Sequence, residues 1–403
     1  MGAISKKKSK KSDLTKFVTF VGLALFGFLI GANSDKINIA PSRLFSSATL
    51  SENLSAKDLK AKLSNKDFTF VNVHTPYEGE IEKTDIFIEY DSMMASKAML
   101  PQDKNAPIVL YCRTGRMSED ALETLRDMGY TNVSHLEGGM DAWQKQGFEV
   151  MDLSSLPEQV LPKDGFELPV EWGDMGPRLI ALGVIDLAKF EGAVKMTDEQ
   201  KEILTKGSDK KMKIDMSNGQ YVVDILWALG LAQKSIVYEE GPLGKEYKDK
   251  QGNFASTGGW NLAKGDAVNY LGKFDLIPLT DEQQDKVAEI AKGVFRPCCG
   301  NPTWFPDCNH GMAALAAIEL MVSQGLSDDE IYKNVLALNT FWFPSNYLTA
   351  ATYFARQGVS WDKVSAKEVL GAEYSSGQGA AEVFKKVGPL PYDLKGVGGS
   401  CGT

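Results

Sequence analysis

After about residue 50 the chain alternates short apolar runs with amphipathic segments. The runs Phe68–His74, Pro107–Tyr111 and Asn132–Leu136 have the length and the apolar character of buried strands. The segment Ser118–Tyr130 carries apolar residues at helical spacing, and Gly139–Gly147 is predicted to be a short helix. This alternation predicts an α/β domain over 51–152, with a parallel sheet and helices on its faces.

The pattern becomes helical beyond residues 153–172, a proline-containing stretch that we expect to be a linker. Apolar residues then recur with a period of about 3.6, in the segments 220–232, 283–294, 311–324, 330–338 and 346–356. Three helices are predicted to begin with capping boxes, at Thr197–Gln200, Thr280–Gln283 and Ser327–Glu330. We therefore expect a mainly α-helical C-terminal domain over 173–395, followed by a flexible glycine-rich tail over 396–403.

The N-terminal segment 1–34 joins a basic stretch to an apolar one. Six lysines precede the uncharged run Phe17–Ala32, and residues 35–50, which follow soon after and show no apolar periodicity, are typical of a linker. A basic stretch before an apolar core is characteristic of an export signal. We expect a single membrane-spanning anchor with the body of the protein outside the cytoplasm. The alternative is cleavage near Ala32, which would release a secreted or periplasmic protein.

Charge along the chain is uneven and limits the classes of partner. The net charge is −9, whereas residues 1–16 carry six lysines and one aspartate. The body is therefore strongly acidic. Phosphate binding needs clustered lysine and arginine, so the composition argues against nucleic acid as a partner.

The segment Cys112-Arg113-Thr114-Gly115-Arg116-Met117-Ser118 concentrates candidate chemistry between a predicted strand and a predicted helix. Backbone N–H groups at a helix N-terminus favour a thiolate over a thiol. Arg113 and Arg116 are expected to stabilise this thiolate and to hold an anionic sulfur donor such as thiosulfate. A thiolate that attacks sulfane sulfur becomes a persulfide, whose outer sulfur passes to an acceptor. We expect the Cys112 sulfur to be ionised and reachable from solvent.

Over about 95 residues this part of the chain resembles the rhodanese family. The matching pieces are the cysteine loop, the strand Phe70–His74 and the closing Leu136-Glu-Gly-Gly-Met-Asp-Ala-Trp143. Asn72 and His74 stand where the family usually has Asp and Arg, and Met117 stands where many members have Arg.

The resemblance implies a rhodanese-like domain with a doubly wound parallel sheet and with Cys112 as the sulfur-carrying nucleophile. It also implies that the loop amides from Arg113 to Ser118 cradle the persulfide. The partners would be a small sulfur donor and a thiol acceptor, and the transfer would need no cofactor. The alternative is that Cys112 is an inert buried cysteine and that the domain is a binding module.

A second cluster lies in the segment 297–312 of the helical domain. It contains Cys298, Cys299, Cys308 and His310, which are three of the five cysteines and one of the three histidines of the chain. Three interpretations remain open. The cluster is a site for Cu(I), Zn(II) or a similar thiophilic ion, a redox or sulfur-accepting dithiol, or a structural disulfide with one thiol left over.

Cys401 is flanked by glycines at the end of the chain. A cysteine on a flexible tail reaches neighbouring sites at high effective concentration. The tail resembles the C-terminal cysteine arm of the carrier protein of the thiosulfate-oxidising system and, more loosely, the cysteine tail of mercuric reductase. The alternative is a disulfide with Cys298 or Cys299.

Together these patterns predict an exported or membrane-tethered, rhodanese-like sulfurtransferase. Cys112 would carry the persulfide, and the thiols of the helical domain and Cys401 would relay sulfur. The competing hypothesis is a non-catalytic metal-binding protein in which the rhodanese-like domain is an adaptor.

Overall fold

The computed structural model describes residues 52–392. The strands in this part of the chain are β1 Asn53–Leu54, β2 Thr69–Asn72, β3 Glu80–Ile81, β4 Ile86–Phe87, β5 Ile108–Tyr111, β6 Val133–Leu136, β7 Val150–Met151, β8 Phe166–Gly173 and β9 Ser208–Ile214. We call residues 52–151 the sheet region and residues 152–392 the helical region.

The helices fall mostly in the helical region. They are α1 Ala56–Ser64, α2 Arg116–Asp127, α3 Gly139–Lys145, α4 Leu156–Val160, α5 Met175–Leu182, α6 Leu187–Ala193, α7 Asp198–Lys206, α8 Gly219–Ala232, α9 Ile236–Glu240, α10 Pro242–Lys245, α11 Ala255–Gly258, α12 Asp281–Gly293, α13 Asn309–Ser323, α14 Asp328–Trp342, α15 Pro344–Arg356, α16 Ala366–Val369, α17 Ala372–Ser375 and α18 Gly377–Val387. Short 3₁₀ helices occur at Tyr90–Ser92, Lys97–Met99, Lys248–Asn253, Ala267–Asn269 and Trp361–Lys363.

The sheet region is built on a parallel sheet with strand order β1-β6-β5-β2-β4. Successive residues of β5 pack in two different cores, because neighbouring side chains of a strand point to opposite faces of the sheet. Ile108 and Leu110 pack with Leu122 of α2 on one face. Val109 and Tyr111 belong to a second core with the buried residues of α1 and α3. The predicted doubly wound parallel sheet is confirmed.

The helical region holds one large apolar core in which α8 packs against α13. The two helices approach closely at Gly230, where an added Cβ would lie 2.2 Å from the Met312 carbonyl oxygen. This contact fixes the N-terminal end of α13, where Cys308 is the N-cap. The mainly helical character of this region is confirmed. All three predicted capping boxes are also present, at the start of α7, α12 and α14.

The segment 153–172 differs from the linker that the prolines suggested. It contains α4 and most of β8, which pairs antiparallel with β9. Pro157 stands in the first turn of α4, where a missing N–H costs little. Pro169 lies on the exposed face of β8, between the buried Leu168 and Val170. These prolines are therefore compatible with ordered secondary structure.

Residues 52–392 lie in one compact unit. No helix in this part of the chain has both the length and the apolar character needed to cross a bilayer. The predicted anchor and the linker over 35–50 lie outside the described residues, as does the tail with Cys401.

Candidate functional site

Cys112 lies between the end of β5 and the start of α2. Its Sγ accepts a hydrogen bond from the Gly115 backbone N–H, at 3.1 Å. The Ser118 hydroxyl in the first turn of α2 lies 3.6 Å from the same sulfur. Both groups come from the N-terminal end of α2, where amide dipoles favour negative charge. Cys112 Sγ therefore lies against the Gly115 amide at the N-terminal end of α2.

Glycines hold this loop against the start of α3. Gly115 has φ +101°, a conformation that strongly favours glycine. Gly139 lies so close to the loop that an added Cβ would be 2.3 Å from the Cys112 carbonyl oxygen. That same oxygen accepts the Met140 N–H at 2.9 Å. The two glycine-containing motifs of the sequence therefore meet, and together they fix the backbone at Cys112.

A buried polar chain continues from Ser118 away from the sulfur. Ser118 Oγ lies 3.1 Å from His135 Nδ1, and His135 Nε2 lies 2.9 Å from Asn53 Oδ1. Sequence analysis did not identify His135 or Asn53 as part of the site. Strand alternation was the available signal, because it places His135 on the same face as Val133, which packs with α2.

The two loop arginines do not contact the sulfur in the way that the sequence suggested. Arg113 donates to Glu78 at 2.8 Å, and Arg116 donates to Asp120 at 3.0 Å. These carboxylates neutralise the guanidinium groups that were expected to face Cys112. Thr114 is exposed, whereas Met117 is half-buried against the core on the α2 face.

The expectation of a sulfur that is reachable from solvent is wrong for this conformation. Cys112 is only 1% exposed and belongs to the core on the α2 face. It continues the alternation of Ile108 and Leu110, so its side chain points under α2 rather than outward. Cys112 is therefore buried because strand alternation places its side chain on the α2 face of the sheet.

In the helical region three cysteine sulfurs lie together. Cys298 Sγ lies 3.5 Å from Cys308 Sγ, and Cys299 Sγ lies 3.8 Å from Cys308 Sγ. All three sulfurs lie within 4.8 Å of one another, and none is in a disulfide with another described cysteine. We call Cys298, Cys299 and Cys308 the thiol triad.

Arg296, which sequence analysis did not single out, lies beside the triad and is completely buried. Its Nη2 donates to Cys299 Sγ at 3.1 Å and to Cys308 Sγ at 3.5 Å, and it lies 3.4 Å from Asp307 Oδ1. An arginine two residues before a cysteine pair was the available signal, but its burial depends on contacts distant in sequence.

The triad sulfurs differ in acidity. The pKa of Cys308 is lowered well below its usual value, because its sulfur receives hydrogen bonds from Cys298 and Cys299 and lies beside the Arg296 guanidinium. The Gly311 N–H adds a further donor to Cys308 Sγ, at 3.3 Å. The pKa of Cys298 is raised, because its thiol hydrogen-bonds to the two neighbouring sulfurs. Cys308 is therefore the most acidic of the three thiols.

His310 does not join the three sulfurs as the sequence suggested. Its Nδ1 lies 2.9 Å from Asn309 Oδ1, and its ring packs 4.5 Å from the ring of Phe343. Side chains two positions apart on a helix do not face each other, which separates His310 from Cys308. Burial lowers the pKa of His310 to about 4, so the imidazole is neutral at neutral pH.

A protein-family model for the rhodanese-like domain matches residues 55–146. The match covers four strands of the parallel sheet (β2, β4, β5 and β6), the Cys112 loop and α3, and it begins just after β1. Residues 55–146 are a rhodanese-like domain. The helical region lies outside the match.

The rhodanese-like domain has relatives among named proteins. The chain is 32% identical over 111 residues to the tRNA uridine(34) hydroxylase of Erwinia tasmaniensis, which covers 26% of this chain and 32% of that protein. It is 49% identical over 49 residues to the probable adenylyltransferase/sulfurtransferase MoeZ of Mycobacterium tuberculosis, 12% of each chain. The chain thus spans about a third or less of the length of these relatives. The names connect the rhodanese-like domain with a sulfur-related family.

Solved structures of single rhodanese-like domains are also similar. A rhodanese-related protein from Thermoplasma volcanium is 27% identical, covering 25% of this chain and 98% of that chain, with a TM-score of 0.22. A rhodanese-like domain protein from Staphylococcus aureus is 26% identical, covering 25% of this chain and all of that chain, also with a TM-score of 0.22.

Proposed function

We propose that the rhodanese-like domain is a sulfurtransferase that carries sulfane sulfur as a persulfide on Cys112. The observation that carries the proposal is the Gly115 N–H at the N-terminal end of α2, which donates to Cys112 Sγ at 3.1 Å. Hydrogen bonds to an ionised sulfur favour the nucleophilic thiolate form. The local similarity to a probable sulfurtransferase supports the same chemistry.

The transfer consists of two displacements at sulfur. The Cys112 thiolate attacks the outer sulfur of a donor such as thiosulfate, a new S–S bond forms, and the donor's S–S bond breaks with both electrons leaving on sulfite. The persulfide anion then takes the place of the thiolate against the Gly115 amide. An acceptor thiolate attacks the outer sulfur in turn, and the Cys112 thiolate leaves. No resident cofactor is needed for this sequence.

The burial of Cys112 restricts which donors reach it. Arg113, Thr114 and Arg116 are exposed and form the outer edge of the loop. A donor reaches Sγ only after a local movement of the chain around Cys112, because this residue is 1% exposed and lies in the core on the α2 face. The Arg113–Glu78 and Arg116–Asp120 contacts are exposed ion pairs, which contribute only about 0–1 kcal/mol each. They therefore present a small barrier to a small anionic donor.

The acceptors in this proposal are the thiols of the helical region and Cys401. The described chain ends at Tyr392, which lines the same groove as Pro297, the residue before Cys298. Cys401 follows nine residues after Tyr392. An extended chain of that length reaches about 30 Å. A tail of this length allows the Cys401 thiol to reach positions within about 30 Å of Tyr392.

We further propose that residues 1–34 tether the protein to the cell membrane with its body outside the cytoplasm. The support is the sequence pattern, six lysines followed by the uncharged run Phe17–Ala32. Deletion of residues 1–34 should move the protein from the membrane fraction to the soluble fraction. Retention of the deletion variant in the membrane would contradict the tether.

The activity is tested by sulfur transfer to cyanide, with thiosulfate and with glutathione persulfide as donors. The full chain should transfer sulfur from at least one donor, and Cys112→Ser should abolish the transfer. Thr131→Ala is the control, since it removes an exposed side chain of the same domain outside the loop 112–118 and should leave the transfer unchanged. Equal activity in Cys112→Ser and the wild type would contradict the proposal.

A further inference from the structure

The thiol triad has the shape of a metal-thiolate site rather than of a disulfide. A disulfide needs one S–S distance of about 2.0 Å, whereas the Cys308 sulfur lies at similar, longer distances from both of its neighbours, 3.5 and 3.8 Å. Three sulfurs that share one ion at about 2.3 Å lie about 3.8–4.0 Å from one another. The observed separations are close to this spacing.

We propose that Cys298, Cys299 and Cys308 bind one thiophilic divalent cation of the zinc class as three thiolates. Soft sulfur donors in a compact cluster select zinc-like ions over calcium or magnesium, which require oxygen ligands. Cys298 is exposed, so the ion has an entry path. Three protein ligands leave one tetrahedral position for water or an external thiol.

The surroundings of the triad fit such a site. Arg296 Nη2 donates to two of the three sulfurs, and the Gly311 amide donates to Cys308 Sγ. Hydrogen bonds of this kind orient metal ligands and offset their negative charge. Arg296 is held in place by Thr303, at 3.2 Å, and by Asp307. These donors contact the triad from its buried side, so the ion would bind on the exposed side, next to Cys298.

Charge favours a divalent over a monovalent ion. Each thiolate contributes one negative charge, Asp307 contributes another, and Arg296 contributes one positive charge. A divalent ion brings this group closer to neutrality than Cu(I) does, and uncompensated charge is costly at a half-buried site. His310 is excluded from the ligand set, because its Nδ1 faces Asn309 and its ring packs on Phe343.

The test uses Co(II) as a spectroscopic probe on the reduced full chain, followed by displacement with Zn(II). One Co(II) per chain should bind and give the intense sulfur-to-metal charge-transfer absorption of a thiolate site, and Zn(II) should abolish that absorption. Cys308→Ser should abolish the signal. Cys298→Ser should weaken Co(II) binding, and it is the safer variant for folding because this side chain is exposed.

Two control variants separate this proposal from others. Cys112→Ser should bind Co(II) like the wild type, so that loss of sulfur transfer and loss of metal binding are distinguishable. His310→Gln should also retain the charge-transfer absorption. The proposal is overturned if the reduced chain gives no such absorption, if Cys298→Ser and Cys308→Ser both keep the wild-type signal, or if the His310 variant alone loses it.

Discussion

Arg356 and Glu80 form a two-point ion pair that joins the helical region to the sheet region. Arg356 Nε donates to Glu80 Oε2 at 2.8 Å, and Nη2 donates to Oε1 at 2.7 Å. Both side chains are buried, and Arg356 Nη1 also donates to the carbonyl oxygens of Asp85 and Val387. A planar guanidinium is suited to such a fixed arrangement. The pair holds β3 against the end of α15.

Replacement of Arg356 should therefore destabilise the whole unit. Arg356→Met leaves the Glu80 carboxylate buried without its partner, and removal of one member of a buried pair costs about 3–5 kcal/mol. The free energy of unfolding, measured by urea denaturation, should fall by about this amount. Arg126→Met is the matched control, because the Arg126–Glu52 pair is exposed and its loss should change the free energy of unfolding little. Equal losses in the two variants would show that the buried pair has no special role.

Removal of the Ser118 hydroxyl should slow the chemistry at Cys112. Ser118→Ala deletes the hydroxyl that lies 3.6 Å from Cys112 Sγ and that also contacts the Gly115 carbonyl oxygen and His135 Nδ1. Loss of a buried hydrogen-bonding group costs about 1–3 kcal/mol. We expect persulfide formation to slow by about tenfold or more. The measurement is the rate of sulfur loading from glutathione persulfide.

Thr114→Ala is the matched control for Ser118, since it removes an exposed hydroxyl from the same loop. Its loading rate should equal that of the wild type. A similar loss of rate in both variants would indicate a general disturbance of the loop rather than the loss of a donor to sulfur.

Glu319 should make the stability of the protein depend on pH. It is fully buried in α13, and burial raises its pKa to about 8. Between pH 4.5 and 8 the folded state therefore holds a proton that the unfolded state releases, so stability falls as pH rises through this window. The slope from this group is about 1.4 kcal/mol per pH unit.

Glu319→Gln keeps the shape of the protonated side chain and removes the titration. The difference in unfolding free energy between this variant and the wild type should grow in favour of the variant from pH 5 to 8. A difference that is constant across this range would contradict the raised pKa.

Mild oxidation tests the reach of the C-terminal cysteine. Tyr392 and Pro297 line one groove, and Cys298 is the exposed member of the thiol triad. Treatment of the metal-free chain with diamide should yield an intramolecular Cys298–Cys401 disulfide, identified by peptide mass mapping. In Cys298→Ser this disulfide should be absent, and Cys401 should either stay unpaired or form a disulfide with another cysteine. Cross-links exclusively between chains would contradict the proposed reach.

Local patterns were sufficient to predict the frame of the rhodanese-like domain. The helix expected at 118–130 is observed at Arg116–Asp127, and β5 and β6 lie within the strands expected there. Periodicity and capping depend on residues close in sequence, which makes them predictable from sequence alone.

The side-chain environment of the sites was less predictable. Cys112 is buried because its side chain points to the face of the sheet that α2 covers. The pairing of Arg113 and Arg116 with carboxylates depends on the final fold. Arg296 lies against the thiol triad because the segment before α13 packs on that helix. Apolar periodicity does not predict these contacts. His310 was grouped with Cys308 because they are close in sequence, but the helix turns it toward Phe343.

The central claim is that Cys112 accepts sulfur within the folded protein. The most direct measurement is peptide mass mapping after the native chain has been incubated with glutathione persulfide and then alkylated. We predict that the peptide containing Cys112 gains one sulfur atom, that a reductant removes it, and that Cys112→Ser shows no gain at this position. A Cys112 that gains sulfur or an alkyl group only after the protein is unfolded in denaturant would contradict the account.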